Sequence, residues 1–380
     1  MTSATMDRIC RIARPEVRDL PAYNAGLSSE AVRQRYGVDH ITRLGSNENP
    51  CGPSPAVAEA LGGLTRTAGL YPDANCLALR AAIAARTGLQ PAQVIIGNGS
   101  ENLLEALCLA FLSPGDRVVT LRPSFGLHEI HPRMMGAQVD MIPVTSAMEF
   151  DVPAWCEALV GGVRPPKLAI LSNPSNPVGC MLDDAAFERI VRAAPAETLL
   201  VIDEAYYEYA QLSPGFADAL TRLRQQERPW IVLRTFSKAW GLAGLRVGYG
   251  LASHASLVQM LDRVRTPFNV NTAAQVAALA AWGDPDHMTA SVRTAVAQRD
   301  LMAAHLRALG VTVAPSAANF LFLDLHRPNG PVAEALLSRG IIIKPWKEAG
   351  YESFIRVSVG TAADNQRFIA ALADLLRQPD

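Results

Sequence analysis

Lys238 stands in the run Arg234-Thr235-Phe236-Ser237-Lys238-Ala239-Trp240-Gly241-Leu242-Ala243-Gly244-Leu245-Arg246. The apolar stretch Trp230-Ile231-Val232-Leu233 leads into it and reads as a strand. An amine at a strand end, with a hydroxyl beside it and an arginine eight residues on, suits a covalently held phosphorylated aldehyde. The amine can form a Schiff base. Ser237 and Arg246 can hold the phosphate, Arg246 through a charge-assisted fork. Pyridoxal phosphate is the candidate, because it needs a lysine and an acidic partner for its ring nitrogen. A Ser-Lys pair near glycines can equally be a solvated loop, so three further motifs carry weight.

Asp203 ends the run Leu199-Leu200-Val201-Ile202-Asp203, which reads as a buried parallel strand. Open α/β sheets bind ligands at the carboxyl ends of their strands. A protonated pyridine nitrogen there would partner the carboxylate and keep the ring an electron sink. An Asp at that place can instead cap the following helix. The second motif is Ser172-Asn173-Pro174-Ser175-Asn176-Pro177, after the strand signal Leu168–Leu171. Two Asn-Pro steps force an extended, turning path that could aim the Asn176 amide at a cofactor oxygen. Tyr206, three residues after Asp203, could bond the same oxygen. A Pro-rich connection is the plainer reading. The third is Gly97-Asn98-Gly99-Ser100-Glu101, between a strand signal and an apolar-rich helix. Amides at that helix start, with the Ser100 hydroxyl, form an anion site. The third glycine of a dinucleotide fingerprint is missing.

In this order and spacing the motifs resemble those of the fold type I pyridoxal-phosphate enzymes, and within them the class I/II aminotransferases. The runs Ser46-Asn47-Glu48-Asn49-Pro50, Tyr71-Pro72-Asp73, Ser237–Arg246 and Phe354-Ile355-Arg356-Val357-Ser358 resemble the histidinol-phosphate aminotransferase family. The likeness runs from about Leu20 to the end of the chain. It implies pyridoxal 5'-phosphate as cofactor, with Lys238, Asp203 and Tyr206 catalytic. It implies Ser100, Glu101, Phe125 (stacked on the ring), Asn176, Ser237, Arg246 and Tyr71 around the cofactor. Tyr23, Asn47, Lys344 and Arg356 would face substrate. An amino donor such as histidinol phosphate and 2-oxoglutarate are the implied substrates. Tyr71 would reach across a two-fold interface to the neighbour's phosphate, making a homodimer with shared sites.

Arg356 also draws attention by itself. It lies inside an apolar strand signal and needs an anion or an edge position. Lys344 departs from the family, which often has an arginine there. A lysine attracts phosphate as a point charge, without a fork. Aromatic amino-acid aminotransferases are therefore the alternative, and a threonine-phosphate decarboxylase-like lyase a third. A decarboxylase or oxidase could use the same carbanion. A ligand-sensing domain on a transcription factor would need a DNA-binding unit, and the residues before Ser46 carry no helix-turn-helix pattern.

The elements that must position these residues alternate. From about Asn47 to Thr272, strand signals (Val94–Ile96, Arg117–Leu121, Gln138–Val144, Leu168–Leu171, Leu199–Ile202, Ile231–Leu233, Val247–Leu251) are interleaved with helix signals (Ala78–Thr87, Glu101–Phe111, Asp183–Ala193, Leu257–Arg263). That pattern predicts an α/β unit, a large mostly parallel sheet with helices on both faces. After it, long helices over Thr272–Leu309 and short strands (Val311–Ala314, Phe320–Asp324, Ile341–Lys344, Phe354–Ser358) predict a smaller α+β domain. The expected division is an arm over 1–46, a cofactor domain over 47–272 and a small domain over 273–380.

The chain has 380 residues, 49% hydrophobic and 19% charged, with a net charge of −1. This suits a large core and leaves no basic excess for nucleic acid or an anionic membrane. No apolar run reaches spanning length, and Met1–Pro15 reads as an exposed arm, so a cytoplasmic protein is expected. The six cysteines contain no Cys-x-x-Cys and are expected to be reduced and mostly buried, with the reactivity of Cys51 and Cys180 open. His128 and His131 have no third partner in sequence, so no metal is expected.

Overall fold

The computed structural model describes residues 3–21, 26–66 and 68–377. Its strands are β1 (Thr42–Arg43), β2 (Val94–Gly97), β3 (Arg117–Arg122), β4 (Gln138–Pro143), β5 (Leu168–Ser172), β6 (Leu199–Asp203), β7 (Trp230–Thr235), β8 (Gly248–Ala252), β9 (Thr312–Val313), β10 (Phe320–Asp324), β11 (Ile341–Ile342), β12 (Lys344–Pro345) and β13 (Phe354–Ser358). A seven-stranded sheet has the order β2-β8-β7-β6-β5-β3-β4.

Within this sheet β3 to β7 pair in parallel, while β8 runs antiparallel to β7 and β2. The cause is local. Parallel neighbours need a crossover, usually a helix. The Phe236–Val247 connection instead stays at the carboxyl end of β7, and the chain returns alongside. Lys238 and Arg246 are thereby both held at the edge where β5, β6 and β7 end.

The continuous apolar runs follow from burial on both faces. Along β6, Leu200 and Ile202 join one core with Val119, Leu171 and Val232. Leu199 and Val201 join the other with Leu103, Leu107, Ile170 and Leu233, beneath helices Ser100–Phe111 and Ala255–Val264. Each fully buried Leu, Ile or Val contributes about 1.5–3 kcal/mol.

A second core gathers Leu321, Leu323, Ile355 and Val357 of a four-stranded sheet, β12-β13-β10-β9, with Leu306, Leu336, Phe368 and Leu372. The expected single strand over Ile341–Lys344 is two. β11 pairs with β1 of the amino-terminal segment, and β12 turns to pair with β13. The long helical stretch is also two helices, Thr272–Trp282 and Pro285–Ala308, broken at Gly283 and restarted by the Asp284 cap and Pro285. Helix Leu127–Met134, with Pro132 inside it, adds to the helix signals read from the sequence. No helix among the described residues is long and apolar enough to cross a membrane.

Cys76, Cys108 and Cys180 are buried, but Cys10 and Cys51 are exposed and Cys156 is intermediate, so only half match the buried expectation. Burial pushes the Cys180 thiol up to about 12, which keeps it protonated and unreactive.

Candidate active site

A cavity of about 590 Å³ opens where β5, β6 and β7 end, roofed by the β12 segment and Arg356 of β13. Asn47, Ser100, Glu101, Phe125, Asn176, Asp203, Tyr206, Ser237, Lys238, Arg246, Lys344 and Arg356 all line it. These are twelve of the fourteen residues singled out in sequence. Tyr71 lies outside the cavity, 82% exposed. Its ring stacks on Phe268, centroids 4.5 Å apart. Tyr23 falls outside the described residues.

Lys238 Nζ donates to the Ser46 carbonyl at 3.0 Å and lies 5.9 Å from the centre of the Tyr206 ring. Burial, then the Arg356 guanidinium, push its ammonium down to about 7, with Arg246 adding to the effect. An amine that is neutral near physiological pH is a nucleophile ready for use. Gly241, three residues on, has φ +72°, and a Cβ there would fall 2.5 Å from the Gly52 backbone. The glycine lets the 46–53 segment lie against the lysine loop.

Asp203 is 5% exposed. Its Oδ1 accepts from the Ala205 amide at 3.1 Å, so the capping role exists in part. Its Oδ2 lies 2.9 Å from His128 Nε2, and His128 Nδ1 lies 3.1 Å from Ser124 Oγ. An ionised carboxylate can only accept, so Nε2 donates to Asp203 and Nδ1 accepts from the Ser124 hydroxyl. The sequence reading missed this chain. His128 was weighed only with His131, as a metal pair sharing a helix face, and not as the partner of Asp203. The period-four spacing of Ser124 and His128 was the available signal.

Arg246 has φ +55°, a left-handed conformation that residues with a Cβ rarely adopt, so backbone strain is held here at the site. Its Nη1 donates to Ser237 Oγ at 3.4 Å and to the Ala243 carbonyl at 3.1 Å. Its Nη2 lies 3.5 Å from Glu101 Oε2. Gly99, φ +80°, precedes helix Ser100–Phe111, and a Cβ there would fall 2.6 Å from Arg246 Nη2. Guanidinium and helix amino terminus therefore converge on one spot, a cradle for an anion. The Glu101 carboxylate is turned to the arginine, so only its backbone amide is suited to that anion.

On the opposite wall Arg356 Nη1 donates to Asn176 Oδ1 at 2.6 Å and Nη2 to the Gly45 carbonyl at 2.7 Å. This leaves the Asn176 Nδ2 as the end able to donate to a ligand. Asn47, φ +54°, donates from Nδ2 to the Tyr206 hydroxyl at 2.9 Å and accepts at Oδ1 from Ser358 Oγ at 2.8 Å. Lys344 is the register partner of Arg356 across β12 and β13. Burial, then Arg356 and Lys347, push its ammonium down to about 8.

A lysine with its ammonium pushed down to about 7, a buried carboxylate and an anion cradle around one cavity fit a phosphorylated pyridine aldehyde. They define an enzyme that anchors its cofactor on a lysine. Residues 39–372 match the model of the aminotransferase class I and II family, and the chain belongs to that family. It is similar, at 46% identity over 96% of this chain and 98% of the relative, to histidinol-phosphate aminotransferase 3 of Rhizobium meliloti. It is also 46% identical, over 98% of this chain and all of the relative, to histidinol-phosphate aminotransferase 1 of Mesorhizobium japonicum. Its fold matches the crystal structure of histidinol-phosphate aminotransferase from Sinorhizobium meliloti in complex with pyridoxal-5'-phosphate. The TM-score is 0.87 at 29% identity, covering 96% of this chain and 98% of that one.

Proposed function

We propose that this aminotransferase binds pyridoxal 5'-phosphate on Lys238 and transfers the amino group of histidinol phosphate to 2-oxoglutarate. The observation that carries the reading is the single cavity joining Lys238 and Asp203 to the cationic wall of Arg356 and Lys344. The names of the relatives at 46% identity support the substrate.

In this reading the helix start at Ser100, the Glu101 amide, Ser237 and Arg246 hold the cofactor phosphate. Phe125 covers the ring, and Asp203, oriented by His128, faces its nitrogen. Asn176 and Tyr206 donate to its hydroxyl oxygen. When bound, the cofactor supplies an electron sink that acidifies the α carbon of the donor. Lys238 carries the proton leaving that carbon, working as a general base. Arg356 binds the anionic end of each substrate by a fork, and Lys344 adds positive charge beside it. The test is turnover with histidinol phosphate, phenylalanine and tyrosine as donors to 2-oxoglutarate. Histidinol phosphate should give the highest kcat/KM, and Lys344→Ala should weaken it more than the other two. A higher kcat/KM for phenylalanine or tyrosine would move the assignment to the aromatic class.

The low value for Lys238 sets a pH dependence. Its nucleophilic form is the neutral amine. Labelling by pyridoxal phosphate, trapped with borohydride, should therefore rise with pH through about 7 and level off above it. An ordinary lysine, with its value of 10.5, would still be gaining reactivity at pH 10. A midpoint near the ordinary value would place the label elsewhere or leave Lys238 solvated.

The active form in this reading is a homodimer. Support comes from the exposed apolar set of Leu70, Tyr71 and Phe268, an uncommon amount of hydrophobic surface for one loop region. Tyr71 would complete the partner's phosphate site. Mixing Tyr71→Ala with Lys238→Ala under subunit exchange should restore activity, because one of the two sites per heterodimer has both native residues. Demonstrated exchange without recovery would reject shared sites.

A further inference from the structure

The cavity is lined by side chains of both charges. Lys344 and Arg356 stand side by side on paired strands. Glu129 and Glu348 line the same cavity. These carboxylates line the same cavity as Lys238, so a donor that reacts at the lysine enters the space they border. Glu348 is already engaged. Its Oε2 accepts from Trp346 Nε1 at 3.0 Å and from the Ser124 amide at 3.4 Å, and its Oε1 lies 3.6 Å from Arg122 Nε. Glu129 is half engaged. Its Oε1 pairs with Arg133 Nη2 at 2.8 Å, and its Oε2 has no donor among the described residues. Two apolar side chains stand beside them in the lining. Ile130 lies one residue on, and the Trp346 indole is braced edge-on against Phe322 at 5.9 Å. Burial pushes the Glu348 carboxyl up, and the charge of Glu129 adds in the same direction.

We propose that Glu129, backed by Glu348 and flanked by Trp346, is the specificity determinant for the donor's side chain, accepting a ring N–H such as that of imidazole and disfavouring a phenyl ring of similar size. The physical reason is that a phenyl ring would strip water from the free Glu129 oxygen and return no hydrogen bond. An imidazole ring restores the bond, and an imidazolium adds attraction. The inference rests on the proposed donor and sharpens it.

The test uses the holoenzyme with two donors that share the amine and the phosphate and differ only in the ring, histidinol phosphate and phenylalaninol phosphate. Wild type should favour the imidazole donor in kcat/KM. Glu129→Leu should cut that preference about tenfold or more, the scale of one charged hydrogen bond. Glu129→Gln, which keeps an acceptor and loses the charge, should cut it less. Calorimetric Kd values for both donors on the Lys238→Ala protein, which cannot turn over, should show the same change in ratio. A merely structural Glu129 would lower both donors together, and an unchanged ratio in both variants would overturn the inference. A wild type that uses neither phosphorylated donor would instead overturn the proposed function itself.

Discussion

Lys238→Ala should lower turnover by about four orders of magnitude, the combined loss of a nucleophilic anchor and a general base. The fold should survive, because the lysine amine makes one hydrogen bond, to the Ser46 carbonyl. Circular dichroism and melting should stay close to wild type. The phosphate cradle is untouched, so the variant should still bind pyridoxal phosphate, now released by dialysis and not fixed by borohydride. Added ethylamine should recover part of the rate, since a small amine can enter the space the side chain leaves. A variant that keeps turnover within tenfold of wild type, or a borohydride label on another lysine, would remove Lys238 from the chemistry.

Asp203→Ala should be the next most damaging change, with turnover reduced by about 10²- to 10³-fold. Removing one partner of a buried charge pair costs roughly 3–5 kcal/mol. In the proposed reading that charge keeps the ring nitrogen protonated. The change also leaves His128 without its acceptor, in a site where His128 is fully buried. The two effects separate in a second variant. His128→Ala keeps the carboxylate and its bond from the Ala205 amide, and should cost only about tenfold. Near-normal turnover in Asp203→Ala would reduce the residue to the cap of the following turn.

Much of this was legible because the sheet is buried on both faces. Short continuous runs such as Leu199–Ile202, bounded by polar residues, fit a covered strand better than a helix, and the residue that breaks each run marks its end. Asp203 and the Ser237-Lys238 pair could therefore be placed at the ligand edge from the sequence. Three things were hidden for physical reasons. Pro132 reads as a helix breaker, because inside helix Leu127–Met134 it gives up the bond to the carbonyl four residues earlier. His128 was weighed only beside His131. The two-residue strands β1 and β11 have no periodicity to detect, since their pairing depends on segments about three hundred residues apart. The place of Glu129 and Glu348 in one cavity was invisible because they lie far apart in sequence and share that lining only in the folded chain.

The pairing of the amino-terminal segment with late strands has a consequence during synthesis. The Asn47 amide donates to Ser358 Oγ, the Leu44 carbonyl accepts from the Ser358 amide, and Thr42 pairs with Ile341. The seven-stranded sheet is complete once Ala252 has left the ribosome. The wall holding Ser46 against Lys238 is not, because its supports have yet to be translated. A nascent chain thus carries a finished cofactor edge with one side open for more than a hundred residues of elongation. Such long-range closure is slow and is formed last. Chains cut before Phe354 should therefore fold the large sheet and yet hold pyridoxal phosphate poorly, and the cofactor should become tightly held only after release of the full chain.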